Sequence, residues 1–287
     1  MFNFSCADFT FPAVDRAVAL RLVKLLGFDA VDIGLFARST HFSPIEMLAA
    51  RRSYTEKVRE DLDASELRVS DLFLQIGNDP PEYAANDPSP QIRASNRDTF
   101  KRALEFCLAL SCKHVTGLPG VWHDGISKDK DFDLAVEETS WRVAESAKAG
   151  VRYAVEPHFG SICADVASAR DFVVSVEGLT LTLDYGHFIM TGESSEAVHD
   201  LLPFSSHVHV RGGALGRLQT SARENTIDFA AMVNGLHKLN YDGFLALEYV
   251  WIDWNGCNRT DNVSETVLLR RSLESVISVL RSKHESN

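Results

Sequence analysis

Basic residues are the scarce component of this chain: 29 Lys and Arg stand against 40 Asp and Glu, a net charge of −11 with His neutral. Affinity for a nucleic-acid backbone comes mostly from Lys and Arg neutralising phosphates, so this balance argues against DNA or RNA as a partner. Long apolar runs are missing too. None approaches the roughly 20 residues that span a bilayer, and no membrane partner is expected. The N-terminus, MFNFSCADFTFPAVDR, lacks a basic start followed by a long apolar core, which reads as the absence of a signal peptide and a cytoplasmic protein. Cysteine is sparse and unpaired in pattern. Cys6, Cys107, Cys112, Cys163 and Cys257 are odd in number with no CxxC spacing, and read as buried free thiols. No GxGxxG or GxxxxGKS/T follows an early strand, which removes support for the common nucleotide-binding sheets.

Linkers are also absent. The nearest candidate, NDPPEYAANDPSPQ (78–91), carries four of the nine prolines and reads as a long surface loop. What is present is alternation. Strand-like runs occur near Phe2–Cys6 and at Ala30–Phe36, Arg68–Ile76, His114–Leu118, Arg152–His158, Leu179–Asp184, His207–Arg211 and Gly243–Val250. Helical stripes lie between them. After Pro12, placed in a first helical turn, come Val14, Val18, Leu22 and Leu25; Phe229, Met232, Leu236 and Leu239 follow Asp228; Leu269, Leu273, Val276 and Leu280 end the chain. Strands alternating with helices imply a parallel sheet with right-handed crossovers. Over 287 residues the eight units suit a (β/α)8 TIM barrel, a single domain over 1–287, better than an open sheet.

Four of the later strands end in a metal-ligand residue type: YAVEPH with Glu156, LTLTLDYGH with Asp184, HVHVRG with His209 and FLALEYV with Glu248. Strand side chains alternate faces. Two residues before each candidate stand Ala154, Thr182, His207 and Ala246, small or polar, while the opposite parity carries Val155, Leu183, Val208 and Leu247. Bulk belongs against the outer helices, so the four candidates share the inward face at the C-terminal end, where barrel enzymes build their active sites. Three carboxylates converging there would repel unless a cation joined them. One divalent metal ion is therefore expected on Glu156, Asp184, His209 and Glu248. This fairly hard donor set favours Mn²⁺ or Mg²⁺, with Co²⁺ or Zn²⁺ open.

These segments, with LDYGH running on to His187 and with GR, IDF and YDGFLALE after the seventh strand, resemble the xylose isomerase-like TIM barrels, a superfamily of sugar isomerases and epimerases. The likeness is specific from about Tyr153 to Trp251; earlier it is mainly rhythm, as in GFDAVDIGL. It implies Glu156, Asp184, His209 and Glu248 as metal ligands, Glu156 and Glu248 as the acid/base pair, and His187 and Arg217 as substrate contacts. Two departures stand out: Gly212 where many members carry an acid, and SARENTIDF (221–229) in place of a Gly-x-Gly turn.

The implied activity is a metal-dependent isomerase or epimerase of a sugar or keto-sugar, moving a proton through a metal-stabilised enediolate. Its partner is a small-molecule carbohydrate, and a homo-oligomer is compatible. Dehydration of a keto-sugar or inosose on the same site stays open, as does a non-catalytic sugar-binding barrel. The zinc-dependent abasic-site endonucleases of the same superfamily fit less well, because VTGLPG after strand 4 has no His and ARENT no Asp-x-His pair. Other residues are placed by position alone. Arg211 and Arg223 follow strand 7, and a guanidinium suits a carboxylate or phosphate. His41, Trp122 and His123 follow strands 2 and 4 and are expected at the pocket. His158 reads as a residue behind the ligands, and Trp251 and Trp254 as a wall or a contact between copies.

Overall fold

The strands of this chain are buried on both faces, as expected where helices cover one face and a filled interior the other. In AVDIGLF (30–36) six of seven residues are buried. The computed structural model describes residues 2–38 and 40–285. Eight parallel strands close into a barrel: β1 (Asn3–Ala7), β2 (Ala30–Phe36), β3 (Arg68–Gln75), β4 (His114–Gly117), β5 (Arg152–Val155), β6 (Thr180–Asp184), β7 (Ser205–Val210) and, after a small hairpin of β8 (Gly212–Ala214) and β9 (Arg217–Thr220), β10 (Phe244–Leu247). Each pairs with its neighbour in chain order, and β1 closes on β10 with Cys6 opposite Leu247. The single-domain TIM barrel read from the sequence is the fold. No helix among the described residues is long and apolar enough to cross a membrane.

The helices are α1 (Arg16–Leu25), α2 (Pro44–Ala64), α3 (Pro90–Ala109), α4 (Lys128–Lys148), α5 (Val166–Ser175), α6 (Tyr185–Thr191), α7 (Ser195–His199), α8 (Phe229–Lys238) and α9 (Asn262–Glu285). Their starts are written locally. Ser43 before Pro44 and Ser89 before Pro90 each accept a bond from the third residue onward, the cap-then-proline order that leaves no needed donor missing. Asp228 caps α8 through Ala231 N. Pro12 is corrected: α1 begins at Arg16 after Asp15, because Pro12 lies in the turns that follow a short 3-10 segment at Asp8–Thr10. The loop at 78–91 is only partly superficial. Asn86 is buried and donates to Val121 O and Asp131 O, pinning the loop to the segment after β4.

The core lies between barrel and helices, with Leu20, Ile33, Leu72, Phe100, Phe172 and Leu181 fully buried. All five cysteines are buried and free. Inside the barrel the filling is polar as well as small. Ala154, Thr182, His207 and Ala246 are buried there as the parity required, and Thr182 Oγ1 meets Thr116 Oγ1 at 2.6 Å. These small residues leave the C-terminal mouth open for the larger side chains above them.

Candidate active site

Glu156 follows β5, Asp184 ends β6, His209 lies in β7 and Glu248 follows β10. All four are buried at the C-terminal end of the barrel. His209 is the centre of the group: its Nδ1 is 2.6 Å from Glu156 Oε1 and 3.4 Å from Glu248 Oε2. Asp184 is fixed by its place at a helix start, where Oδ1 accepts from Gly186 N at 2.7 Å. That turn starts α6 and aims His187 back at the site, with Nε2 3.7 Å from Asp184 Oδ2 and 3.8 Å from Glu156 Oε2.

Arg211, one residue past β7, lies among these carboxylates. Its Nη2 donates to Asp184 Oδ2 and lies 3.2 Å from Glu248 Oε2 and 3.3 Å from His187 Nε2. The guanidinium is 3% exposed, so these contacts are desolvated.

The donor set fits a divalent metal. Donor atoms of Glu156, His209 and Glu248 all lie within 4.8 Å of one another, and so do those of Glu156, Asp184 and His187. Glu248 Oε2 is buried without a hydrogen-bond partner. Asp184 would join the ion of the first group by exchanging Arg211 for it.

Environment divides the two glutamates. Burial works against a charged Glu156, but the His209 bond and the charges of His209, His187 and Arg211 outweigh it and hold the carboxyl down at about 2. Burial pushes Glu248 up to about 8; Arg211 and His209 oppose this, while Glu156 and Asp184 reinforce it. Without metal, one glutamate is a carboxylate and the other a carboxylic acid near neutral pH. Burial also depresses His187 to about 4, leaving it a neutral imidazole.

A cavity of about 240 Å³ opens over the group, with Glu156, His158, His187, Arg211 and Glu248 in its polar lining and Phe9, Phe36, Phe73 and Trp254 in its aromatic lining. Trp254 stacks on Phe159 at 5.1 Å and 19°. His158 binds Phe159 O through Nδ1, so it holds the wall rather than the ligand cluster.

Not every expected residue arrives. Arg217 is exposed and paired with Glu224 at 2.8 Å, and Arg223 is exposed beside it. Trp122 is 40% exposed under Lys128. His41 is held by Asp8 Oδ2 and Val14 O, each at 2.8 Å, and His123 by Asp131. None of these five lines the cavity. The two departures in the loop have physical reasons. A Cβ on Gly212 would meet Thr220 O at 2.6 Å across the β8–β9 hairpin. Asn225 Oδ1 accepts from Gly213 N and Ile227 N, making the turn that glycines make elsewhere. Sequence reasoning missed the aromatic lining from Phe9, Phe36 and Phe73, which lies on the first three strands' ends and carries no motif.

The description of the xylose isomerase-like TIM barrels matches residues 20–273. The chain belongs to that family. It is similar to a 2-oxo-tetronate isomerase of Pectobacterium atrosepticum, 22% identical over 200 residues that cover 65% of this chain and 75% of that protein. Among solved structures it resembles L-ribulose 3-epimerase (TM-score 0.76, 15% identity, 99% of this chain and 97% of the other). It also resembles a probable 3-DHS dehydratase from Bacillus anthracis (TM-score 0.69, 12% identity, 94% and 99%). At these identities the structural likenesses establish the fold alone.

Proposed function

We propose that this chain is a divalent-metal-dependent isomerase or epimerase of a sugar or keto-sugar. The observation that carries this reading is the placement of Glu156 and Glu248: from strands three apart in the barrel order, both meet one imidazole nitrogen and line one small cavity. Two carboxyl groups so placed, one held charged by its neighbours and the other raised by burial before a metal binds, suit proton transfer next to a carbonyl. The family likeness and the isomerase relative support the same class.

Glu156, His209 and Glu248 would hold the metal, with Asp184 as the fourth ligand. When bound, it would supply Lewis-acid polarisation of the substrate's carbonyl oxygen and would lower the Glu248 pKa from its metal-free level, making that proton easier to give up. Mn²⁺ or Mg²⁺ suits this oxygen-rich set. Glu156, kept charged by its neighbours, takes the proton from carbon. Glu248 gives its own proton to the carbon and is reprotonated from solvent, while Glu156 releases the proton it took. His187 is neutral and keeps Nδ1 without a partner, which lets it bond a substrate hydroxyl. Arg211, paired with Asp184 and Glu248, would release them to a bound metal and would then be free to meet a substrate oxygen. The aromatic lining excludes water from the reacting carbon.

The test is proton NMR in deuterated water with Mn²⁺-exchanged, then Mg²⁺-loaded protein across keto-sugars, inososes and hydroxy-keto acids. Metal-dependent loss of one carbon-bound proton with formation of an isomer supports the reading. Formation of a conjugated, ultraviolet-absorbing product would place the chain among dehydratases instead, and no exchange with any of these classes would refute it.

A further inference from the structure

His209 has a second ring nitrogen, and its surroundings differ from those of the first. Nδ1 faces Glu156 and Glu248. Nε2 points down the barrel, is buried, and makes no hydrogen bond of good geometry. The acceptor facing it is Asp32 Oδ2, at 3.5 Å. Asp32 lies in β2 and is fully buried. Three side chains hydrogen-bond its carboxylate. Oδ1 accepts from Ser5 Oγ at 2.8 Å and Ser70 Oγ at 2.5 Å, and Oδ2 from His207 Nε2 at 2.6 Å. The carboxylate is therefore pinned from β1, β3 and β7, with one oxygen held under His209. The Phe73 ring, 5.7 Å from the His209 ring, limits its tilt.

Asp32, Asp71, His207 and His209 also come close enough to suggest a second cation site. Both oxygens of Asp32 are engaged as above and Asp71 Oδ1 meets His114 Nδ1 at 2.6 Å, while Asp71 Oδ2 is buried without a partner. Three of the four carboxylate oxygens are thus already held by hydroxyls and imidazoles, which makes the cluster a support.

We propose that Asp32 is a positioning residue for His209. By accepting from Nε2 it makes Nδ1, on the side of Glu156 and Glu248, the nitrogen that gives up its proton to a metal, the arrangement a metal-binding imidazole needs. Asp32 touches neither substrate nor metal. The inference builds on the metal-dependent reading above, and it explains an acid in the middle of an otherwise apolar strand.

The experiment is Mn²⁺ binding, followed by the electron paramagnetic resonance of free Mn²⁺, to wild type, Asp32→Asn and Asp71→Asn. An Asn at 32 can turn its NH2 to the two serine hydroxyls, which also accept, but the oxygen left facing His209 Nε2 is then an uncharged amide and a weaker acceptor. Asp32→Asn should weaken Mn²⁺ by about 10- to 100-fold, the usual effect of losing such a partner. Asp71→Asn removes an equally buried carboxylate that bonds His114 instead, and should leave affinity within about threefold, below that range. Unchanged affinity in Asp32→Asn, or equal weakening in both variants, overturns the proposal. If Asp32→Asn does not fold, or if wild type binds no Mn²⁺ and the metal-dependent reading itself fails, the long-range ¹H–¹⁵N spectrum of wild type decides. At a pH where His209 carries a single ring proton, that proton on Nε2 supports Asp32's role and that proton on Nδ1 overturns it.

Discussion

Replacing Arg211 with Met removes the one guanidinium held between Asp184 and Glu248 while keeping an unbranched side chain of similar reach. In metal-free protein Asp184 then loses a desolvated counter-charge and Glu248 a neighbouring donor. Breaking a buried pair by deleting one partner costs about 3–5 kcal/mol, because the remaining charge keeps its desolvation cost. An unfolding entropy of about 2.1 cal/mol/K per residue over 287 residues gives about 0.6 kcal/mol/K. The Tm of the metal-free variant should therefore fall by about 5–8 °C. Near-ultraviolet circular dichroism melts after chelation and dialysis measure this. Mn²⁺ added at about 100 times its Kd stabilises a protein that binds only when folded by about 2.7 kcal/mol. Since Arg211 and the metal share Asp184 and Glu248, the variant should gain more from Mn²⁺ than wild type gains at the same concentration. A metal-free Tm within about 1 °C of wild type would refute the placement of Arg211. A larger Mn²⁺ gain in wild type would refute the competition.

Glu248 gives the metal-free protein a pH signature. Its folded value of about 8 stands above the ordinary 4.5, so its contribution to stability is complete below about 4.5 and is lost as pH rises through about 8. Melts of chelated wild type should lose stability across that window relative to Glu248→Gln; parallel pH profiles would contradict the burial of this carboxyl. Gly212→Ala should destabilise by about 1–3 kcal/mol through the clash with Thr220 O, and urea unfolding at unchanged m-value checks it. Arg217→Ala removes an exposed pair and should change stability by less than about 1 kcal/mol with KM unaltered; a raised KM would return Arg217 to the substrate.

The barrel was legible because its signal is repeated. Eight short apolar runs separated by helical stripes leave few topologies, and parity within four strands placed Glu156, Asp184, His209 and Glu248 on one face. What was hidden was non-local. His41 follows a barrel strand, as a pocket residue would, and nothing near it in the chain shows that Asp8, 33 residues earlier, holds it. Arg217 matched a family position, but the β8–β9 hairpin turns it outward to Glu224. That hairpin has strands of three and four residues around a Gly-rich turn, too short for alternation to register. Asp32 did leave a trace, an acid inside AVDIGLF, yet the three groups that hydrogen-bond it come from three other strands. Arg211 was expected at substrate, and the structure adds that it is first a partner of Asp184 and Glu248.

The central claim is that Glu156 and Glu248 transfer a proton at carbon, and it is tested most directly by solvent deuterium incorporation in the two Gln variants. Once a substrate is found, wild type should incorporate one deuterium per turnover from deuterated water, and Glu156→Gln and Glu248→Gln, each checked for folding and metal content, should incorporate none. Exchange retained in both metal-loaded variants would contradict the assignment.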